Sequence, residues 1–347
     1  MRLFNILFCL YFAFVRSVFG QTDDCVCVPF YLCTNGTLNT NGENIIDIRI
    51  NANDCPSYLD FCCPTKEVLE KPKPKSPVIP PGCGHRNRNG VQYSITGATD
   101  NEAQFGEFPW VVAILRKDNE TLSLQCGGSL IHPQVVLTAA HCVHFVEQMV
   151  VRAGEWDSKT TQEPLKHQDV KVSSAKVHPD FNSKNLKNDI ALLFLETPVS
   201  LDDNHIGLAC LPRQNNALSS NGCYVNGWGK NKFGKDAVFQ NILKKIQLPV
   251  VAHEQCQDAF RKTRLGKYFI LNESFVCAGG EEGKDACTGD GGGPLVCPSE
   301  EGRYEQVGIV SWGIGCGEKG VPGAYTNVGR FKNWIKKQTQ TRSFTIQ

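Results

Sequence analysis

The chain has 347 residues, with 36 Lys and Arg against 35 Asp and Glu, for a formal net charge of +1. This length accommodates one large domain and a smaller module, and the near-neutral balance gives no electrostatic footing for nucleic acid as a partner. Seventeen cysteines argue against a reducing compartment.

In chain order, Met1 and Arg2 precede an apolar run, Leu3 to Val15, and Val18, Phe19 and Gly20 stand where a signal peptidase reads. Cleavage after Gly20 is expected. As a membrane anchor the run is too short to span a bilayer, and Arg16 interrupts it. No later segment is apolar for long enough, so a secreted protein without a membrane span is expected. Loss of Arg2 and Arg16 takes the net charge from +1 to −1, and loss of Cys9 leaves 16 cysteines, an even number suited to a full disulfide set.

Six of these, Cys25, Cys27, Cys33, Cys55, Cys62 and Cys63, fall within 39 residues. That density implies three bridges holding a module too small to rely on its core, and spacing alone does not choose their pairing. Zinc is the competing reading, but no paired histidines lie nearby. Pro64, Pro72, Pro74, Pro77, Pro80 and Pro81, mixed with lysines, then read as an extended linker. The expected organisation is a signal peptide over 1–20, a disulfide-knit module over 21–64, a linker over 65–90 and a large domain over 91–347.

In the large domain, Val111 to Leu115, Ser129 to Ala139, Ile190 to Leu195, Leu243 to Val250 and Gln306 to Trp312 read as strands between turn-forming residues. Many short strands of this kind predict a closed barrel or sandwich. Phe331 to Lys337 predicts a terminal helix.

Three segments carry chemistry. Leu137-Thr138-Ala139-Ala140-His141-Cys142 places an imidazole beside a half-cystine, and Asn188-Asp189-Ile190-Ala191 places a carboxylate at the mouth of an apolar strand. The third reads Cys287-Thr288-Gly289-Asp290-Gly291-Gly292-Gly293-Pro294. In order and spacing the three resemble the chymotrypsin-like (trypsin) family over roughly residues 83 to 340. The resemblance implies a mainly β fold, a double six-stranded β-barrel with a C-terminal helix. It also places the remnant triad at His141, Asp189 and Gly291. In the family, serine stands where this chain has Gly291, and glycine offers no nucleophile. Loss of the nucleophile from such a triad costs about 2 × 10⁶ in kcat, roughly 8 to 9 kcal/mol of barrier, so no peptidase activity is expected.

The resemblance further implies that Gly289 and Gly291 supply remnant oxyanion-hole amides, and that Asp285, Ser311, Gly313 and Gly323 outline a remnant pocket for Arg or Lys. Inheritance from an active ancestor without present use is the competing reading of that pocket. Active relatives free an Ile-Val-Gly-Gly terminus whose ammonium pairs with the aspartate matching Asp290. Here the segment is Ser94-Ile95-Thr96-Gly97, which lacks a basic residue before Ile95, and a cut at Arg86 or Arg88 would not expose Ile95. The resemblance pairs Cys83 with Cys210, Cys126 with Cys142, Cys223 with Cys297, Cys256 with Cys277 and Cys287 with Cys316.

The six N-terminal cysteines, with adjacent Cys62 and Cys63, resemble a clip domain. Clip-domain serine protease homologues are arthropod haemolymph proteins, and the group most similar here implies a cofactor of prophenoloxidase activation in melanisation. As that resemblance has it, an activating clip-domain protease cuts the homologue, which then binds prophenoloxidase or its processed form, with a homo-oligomer as a further outcome. Arg49, before Ile50, is the basic residue between Cys33 and Cys55 and is the expected cleavage site; an ordinary surface arginine is the alternative. A haemolymph recognition or adhesion protein that binds microbial surfaces or haemocytes is the competing function. Glu155 and Glu163 lie where many trypsin-like domains bind Ca²⁺, against the alternative of a merely acidic loop; no other cofactor is expected. Asn35, Asn119 and Asn272 open Asn-x-Ser/Thr segments and are candidate glycan acceptors.

Overall fold

The computed structural model describes residues 25–29, 45–47, 55, 60–68, 82–92, 94–96, 101–160, 163–213, 222–229, 240–283, 290–315 and 317–346. The chain divides into two units, Met1–Pro74 and Lys75–Gln347. Among the described residues no helix is long and apolar enough to cross a membrane.

In the first unit, strands β1 (Cys25–Pro29) and β3 (Asp60–Pro64) pair antiparallel, with Cys27 opposite Cys62 and Val26 opposite Cys63. A bridge joins Cys27 to Cys55, and Cys62 and Cys63 are also disulfide-bonded. Cross-linking stands in for a hydrophobic core in a ribbon this small. A short strand, β2 (Ile45–Asp47), and a single 3₁₀ turn, Thr65–Glu67, are further regular elements of this unit.

The second unit opens on β4 (Ser94–Thr96) and then forms two β systems. The first is a closed six-stranded barrel of β5 (Val111–Asp118), β6 (Thr121–His132), β7 (Val135–Thr138), β8 (Met149–Ala153), β9 (Gln168–Val177) and β10 (Ala191–Leu195). Sequence predicted a single strand over Ser129 to Ala139; Pro133 and Gln134 instead turn the chain between β6 and β7, because proline cannot donate to a ladder. Asn119, at φ 54°, turns the tight β5–β6 hairpin, a conformation that asparagine tolerates better than most residues. Val112, Ile114, Leu130, Val136, Leu192 and Leu193 fill the interior with no measurable exposure.

The second system is a sheet of β11 (Cys223–Gly227), β12 (Lys244–Leu248), β13 (Val250–Val251), β14 (Phe275–Gly279), β15 (Pro294–Pro298), β16 (Tyr304–Trp312) and β17 (Pro322–Asn327). Its strand order is β12-β11-β15-β16-β17-β14-β13. The two edge strands are separated in sequence by Pro249 alone, so residues 244–251 run as one interrupted strand from one edge to the other. This is the barrel-like partner of the first barrel.

Helix α1 (His253–Arg261) is anchored by the Cys256–Cys277 bridge and by Phe260. Helix α2 (Val328–Gln340) contains the predicted Phe331 to Lys337 and lays Val328, Phe331 and Ile335 against the first barrel's core. Their spacing of three and four residues makes one apolar stripe.

Candidate functional site

Strand β7 leads into a single 3₁₀ turn, Ala140–Cys142, which presents His141, and the Cys126–Cys142 bridge pins that turn to β6. Asp189 arrives from the opposite side, just before β10. Asn188 adopts φ 57°, which turns the chain inward ahead of it.

Asp189 is completely buried. Its Oδ1 accepts the backbone N–H of His141 at 2.9 Å, and its Oδ2 lies 2.7 Å from His141 Nδ1. The same Oδ2 accepts the hydroxyl of Ser311 at 2.6 Å, and Thr326 donates to the Asp189 carbonyl at 2.8 Å. A buried carboxylate needs such a set of donors, because an unpaired one is far too costly to keep. The Ser311 side chain, which the sequence placed in the pocket remnant, is engaged with the dyad through its hydroxyl. It sits at a register shift between Val310 and Trp312 of β16, and such irregularities re-aim a side chain.

Gly291 faces His141. A Cβ placed on Gly291 would lie 2.8 Å from His141 Nε2 and 3.4 Å from Cε1, the nearest atoms among the described residues apart from its own chain neighbours. The imidazole thus leans toward the position a side chain would occupy. The backbone here is tightly held: Gly127 N–H donates to the Gly291 carbonyl at 2.8 Å, and Gly292 N–H donates to Val310 at 2.9 Å. Gly292 has φ 79° and packs against Thr138 Oγ1 and the Gly127 carbonyl, leaving no room for a side chain.

The neighbouring Asp290 is buried and accepts the Gly229 N–H at 2.8 Å. Gly227 and Gly229 both pack directly on its carboxylate, so two glycines of Asn226-Gly227-Trp228-Gly229 make its berth. Sequence reasoning missed this support, and the Gly-x-Gly spacing is the cue that pointed to it.

Gly323 lies in β17 opposite Ala278, and a Cβ on Gly313 would meet, among the described residues, the Gly315 carbonyl at 3.7 Å. Asp285, Cys287, Gly289 and Cys316 lie outside the described residues, as do Arg49, Ile50, Cys33 and Asn35. Cys25 lies in β1. Bridges join Cys83 to Cys210, Cys126 to Cys142, Cys223 to Cys297 and Cys256 to Cys277. Asn119 stands exposed at its hairpin tip, whereas the Asn272 side chain accepts the Ser274 N–H at 3.0 Å.

Arg86, upstream of Ile95, is largely buried, with its side chain 9% exposed. Its guanidinium sits over the rings of Tyr224, Phe108 and Tyr304, at 4.2, 4.8 and 5.6 Å, and pairs with the fully buried Glu107. Lys245 reaches the other Glu107 oxygen at 2.7 Å. Burial opposes the charge on Arg86, but the bonds to Glu107, Tyr224 and Tyr304 outweigh it and raise its pKa.

A separate cluster gathers in the loop between β8 and β9. Glu155 and Glu163, the residues expected to hold Ca²⁺, are brought together with His167, which the sequence reading did not include. Burial first, and then the Glu155 carboxylate, push the Glu163 carboxyl up to about 8. The imidazole departs from the all-oxygen shell that Ca²⁺ takes.

With this geometry in place, the comparisons are specific. A trypsin family model matches residues 98–335, and a model of the serine protease clip domain of PPAF-2 matches residues 17–64. Phenoloxidase-activating factor 2 of Galleria mellonella is 52% identical over 290 residues, covering 78% of this chain and 95% of its own length. Inactive CLIP domain-containing serine protease A8 of Anopheles gambiae is 42% identical, covering 89% of this chain and 87% of its own length. Inactive CLIP domain-containing serine protease A28 of the same mosquito is 38% identical, at 92% and 91% coverage. The chain belongs to the trypsin family and, with its N-terminal clip domain, to the clip-domain serine protease homologues.

Proposed function

We propose that this is a secreted, non-catalytic protease homologue that is cut by an activating clip-domain protease, then binds prophenoloxidase or its processed form and promotes its activation in melanisation. The observation that carries the reading is Gly291 facing an otherwise supported His141–Asp189 pair: the domain keeps its scaffold and lacks the attacking atom. The similarity to a phenoloxidase-activating factor over most of both chains supports the choice of pathway.

Arg49 remains the proposed switch. The Cys27–Cys55 bridge spans it in sequence, so a cut between Arg49 and Ile50 leaves the two pieces linked while freeing the intervening loop to rearrange. Cleavage of wild type and none of Arg49→Gln is the expected result with the activating protease. Equal cutting of both moves the switch elsewhere.

A second reading, adhesion to microbial surfaces, is favoured by one patch. Exposed Lys262, Arg264 and Lys267 lie beside Tyr268 and Ile270, which are 83% and 76% exposed, a surface suited to anionic ligands. Immobilised, cleaved protein separates the two readings. Capture of processed prophenoloxidase supports the cofactor, whereas capture of bacteria without it supports adhesion.

A further inference from the structure

The loop between β8 and β9 holds a built site that the cofactor role does not use. One donor atom each of Glu155, Glu163 and His167 lies within 4.8 Å of the others. Glu155 and Glu163 are each 7% exposed, and the His167 side chain 17%.

Glu155 is fixed in place. Its Oε1 accepts the Trp156 N–H at 3.0 Å, and its Oε2 accepts Arg152 Nη1 at 3.0 Å, while Arg152 also grips Asp169 at 2.7 and 2.8 Å. Glu163 Oε1 takes a 3.4 Å contact from the Asp157 N–H, and the Glu155 carboxylate lies against the Glu163 side chain. The other Glu163 oxygen, Oε2, and His167 Nδ1 are both buried without a hydrogen-bond partner. Leaving such groups unmatched costs about 1–3 kcal/mol each, so two in one cluster point to a ligand between them.

A proton shared by the two carboxyls would satisfy Glu163 but not the imidazole nitrogen. A single cation answers both. Calcium takes six to eight oxygens and makes no use of imidazole. Two carboxylates and one histidine instead match the borderline ions, zinc foremost. His167 Nδ1 and Glu155 Oε2 are 3.9 Å apart, near the separation of about 3.4 Å between neighbouring ligands of a tetrahedral zinc ion. Arg152 would remain on Glu155 as the outer partner that orients a ligating carboxylate.

We propose that Glu155, Glu163 and His167 form a structural site for a zinc-class divalent cation, in place of the Ca²⁺ expected from the sequence. The ion would tie the two ends of the β8–β9 loop together.

The test uses the full secreted chain, stripped with a chelator and dialysed against micromolar Zn²⁺, Ca²⁺ or Co²⁺, with bound metal measured by elemental analysis. Wild type is expected to hold about one Zn²⁺ per chain, to give visible Co²⁺ bands of a nitrogen and oxygen site, and to keep Zn²⁺ against about 1 mM Ca²⁺. His167→Gln and Glu163→Gln should each weaken Zn²⁺ at least about tenfold. Retention of Ca²⁺ rather than Zn²⁺ by wild type overturns the proposal, as does unchanged Zn²⁺ affinity in folded His167→Gln. The competition and the Co²⁺ spectrum on wild type decide the matter even if a variant fails to fold.

Discussion

Gly291→Ser is the perturbation whose outcome is least obvious from sequence. The new Cβ would stand 2.8 Å from His141 Nε2, whereas comfortable non-bonded contact begins near 3.5 Å. The imidazole must therefore retreat by about 0.7 Å. It is tethered to Asp189 through the 2.7 Å Nδ1 contact, and that carboxylate is fixed by Ser311. Overpacking against a held group costs about 1–3 kcal/mol, so the variant should fold with a lowered urea midpoint. Restoring the nucleophile to a fully poised triad would return about 2 × 10⁶ in rate. Far less is expected here, because Ser94 precedes Ile95 and no trypsin-like cut releases an ammonium for Asp290. Hydrolysis of a fluorogenic Arg amide should stay within about tenfold of wild type, by the reasoning that separable defects must all be repaired. The double variant Ser94→Arg with Gly291→Ser, cut after residue 94, should exceed the single variant at least about a hundredfold. Recovery of five or six orders of magnitude by Gly291→Ser alone would refute the second defect, and an unchanged urea midpoint would refute the crowding at His141.

Two further outcomes follow from the same contacts. Asp189→Asn turns an amide nitrogen toward donors that now meet a carboxylate, and should cost about 3–5 kcal/mol in urea unfolding; a loss under about 1 kcal/mol would mean that the dyad no longer supports the fold. His178 sits between Phe331 and Trp334, and burial holds its pKa below the ordinary value against the pull of Asp180. The native state therefore binds fewer protons than the unfolded chain, and the ring's contribution, present above the unfolded value of about 6.5, is lost as pH falls from there through the lower folded value. His178→Phe keeps the aromatic packing and should flatten stability against pH between about 7 and 5; parallel profiles for the two proteins would contradict this.

The parts of the site that announce themselves in sequence are those with local signatures. His141 beside Cys142, Asp189 at the head of an apolar strand, and Gly291 inside a glycine run each sit in a segment readable without its partners. Ser311 is different, because a register shift in β16 decides which way its hydroxyl points, and residue type says nothing of that. His167 stands twelve positions after Glu155, a separation that no helical or strand period relates. Helix α1 escaped because only Cys256 and Phe260 are buried along it, too few to mark an amphipathic pattern. A long apolar run buried on both faces, as in Ala191–Leu195, was legible as a strand, whereas the equally buried Phe275–Gly279 was not, because cysteine, alanine and glycine shorten its apolar run.

The proposed role is that of a protease scaffold that lacks its nucleophile and acts on another protein's activation. Its most direct test is phenoloxidase activity from prophenoloxidase and an activating clip-domain protease, measured with and without this protein. A marked rise that requires this protein, and that persists when it is first treated with a serine-directed inhibitor that is then removed, is the predicted result. Equal activity with and without it would contradict the account.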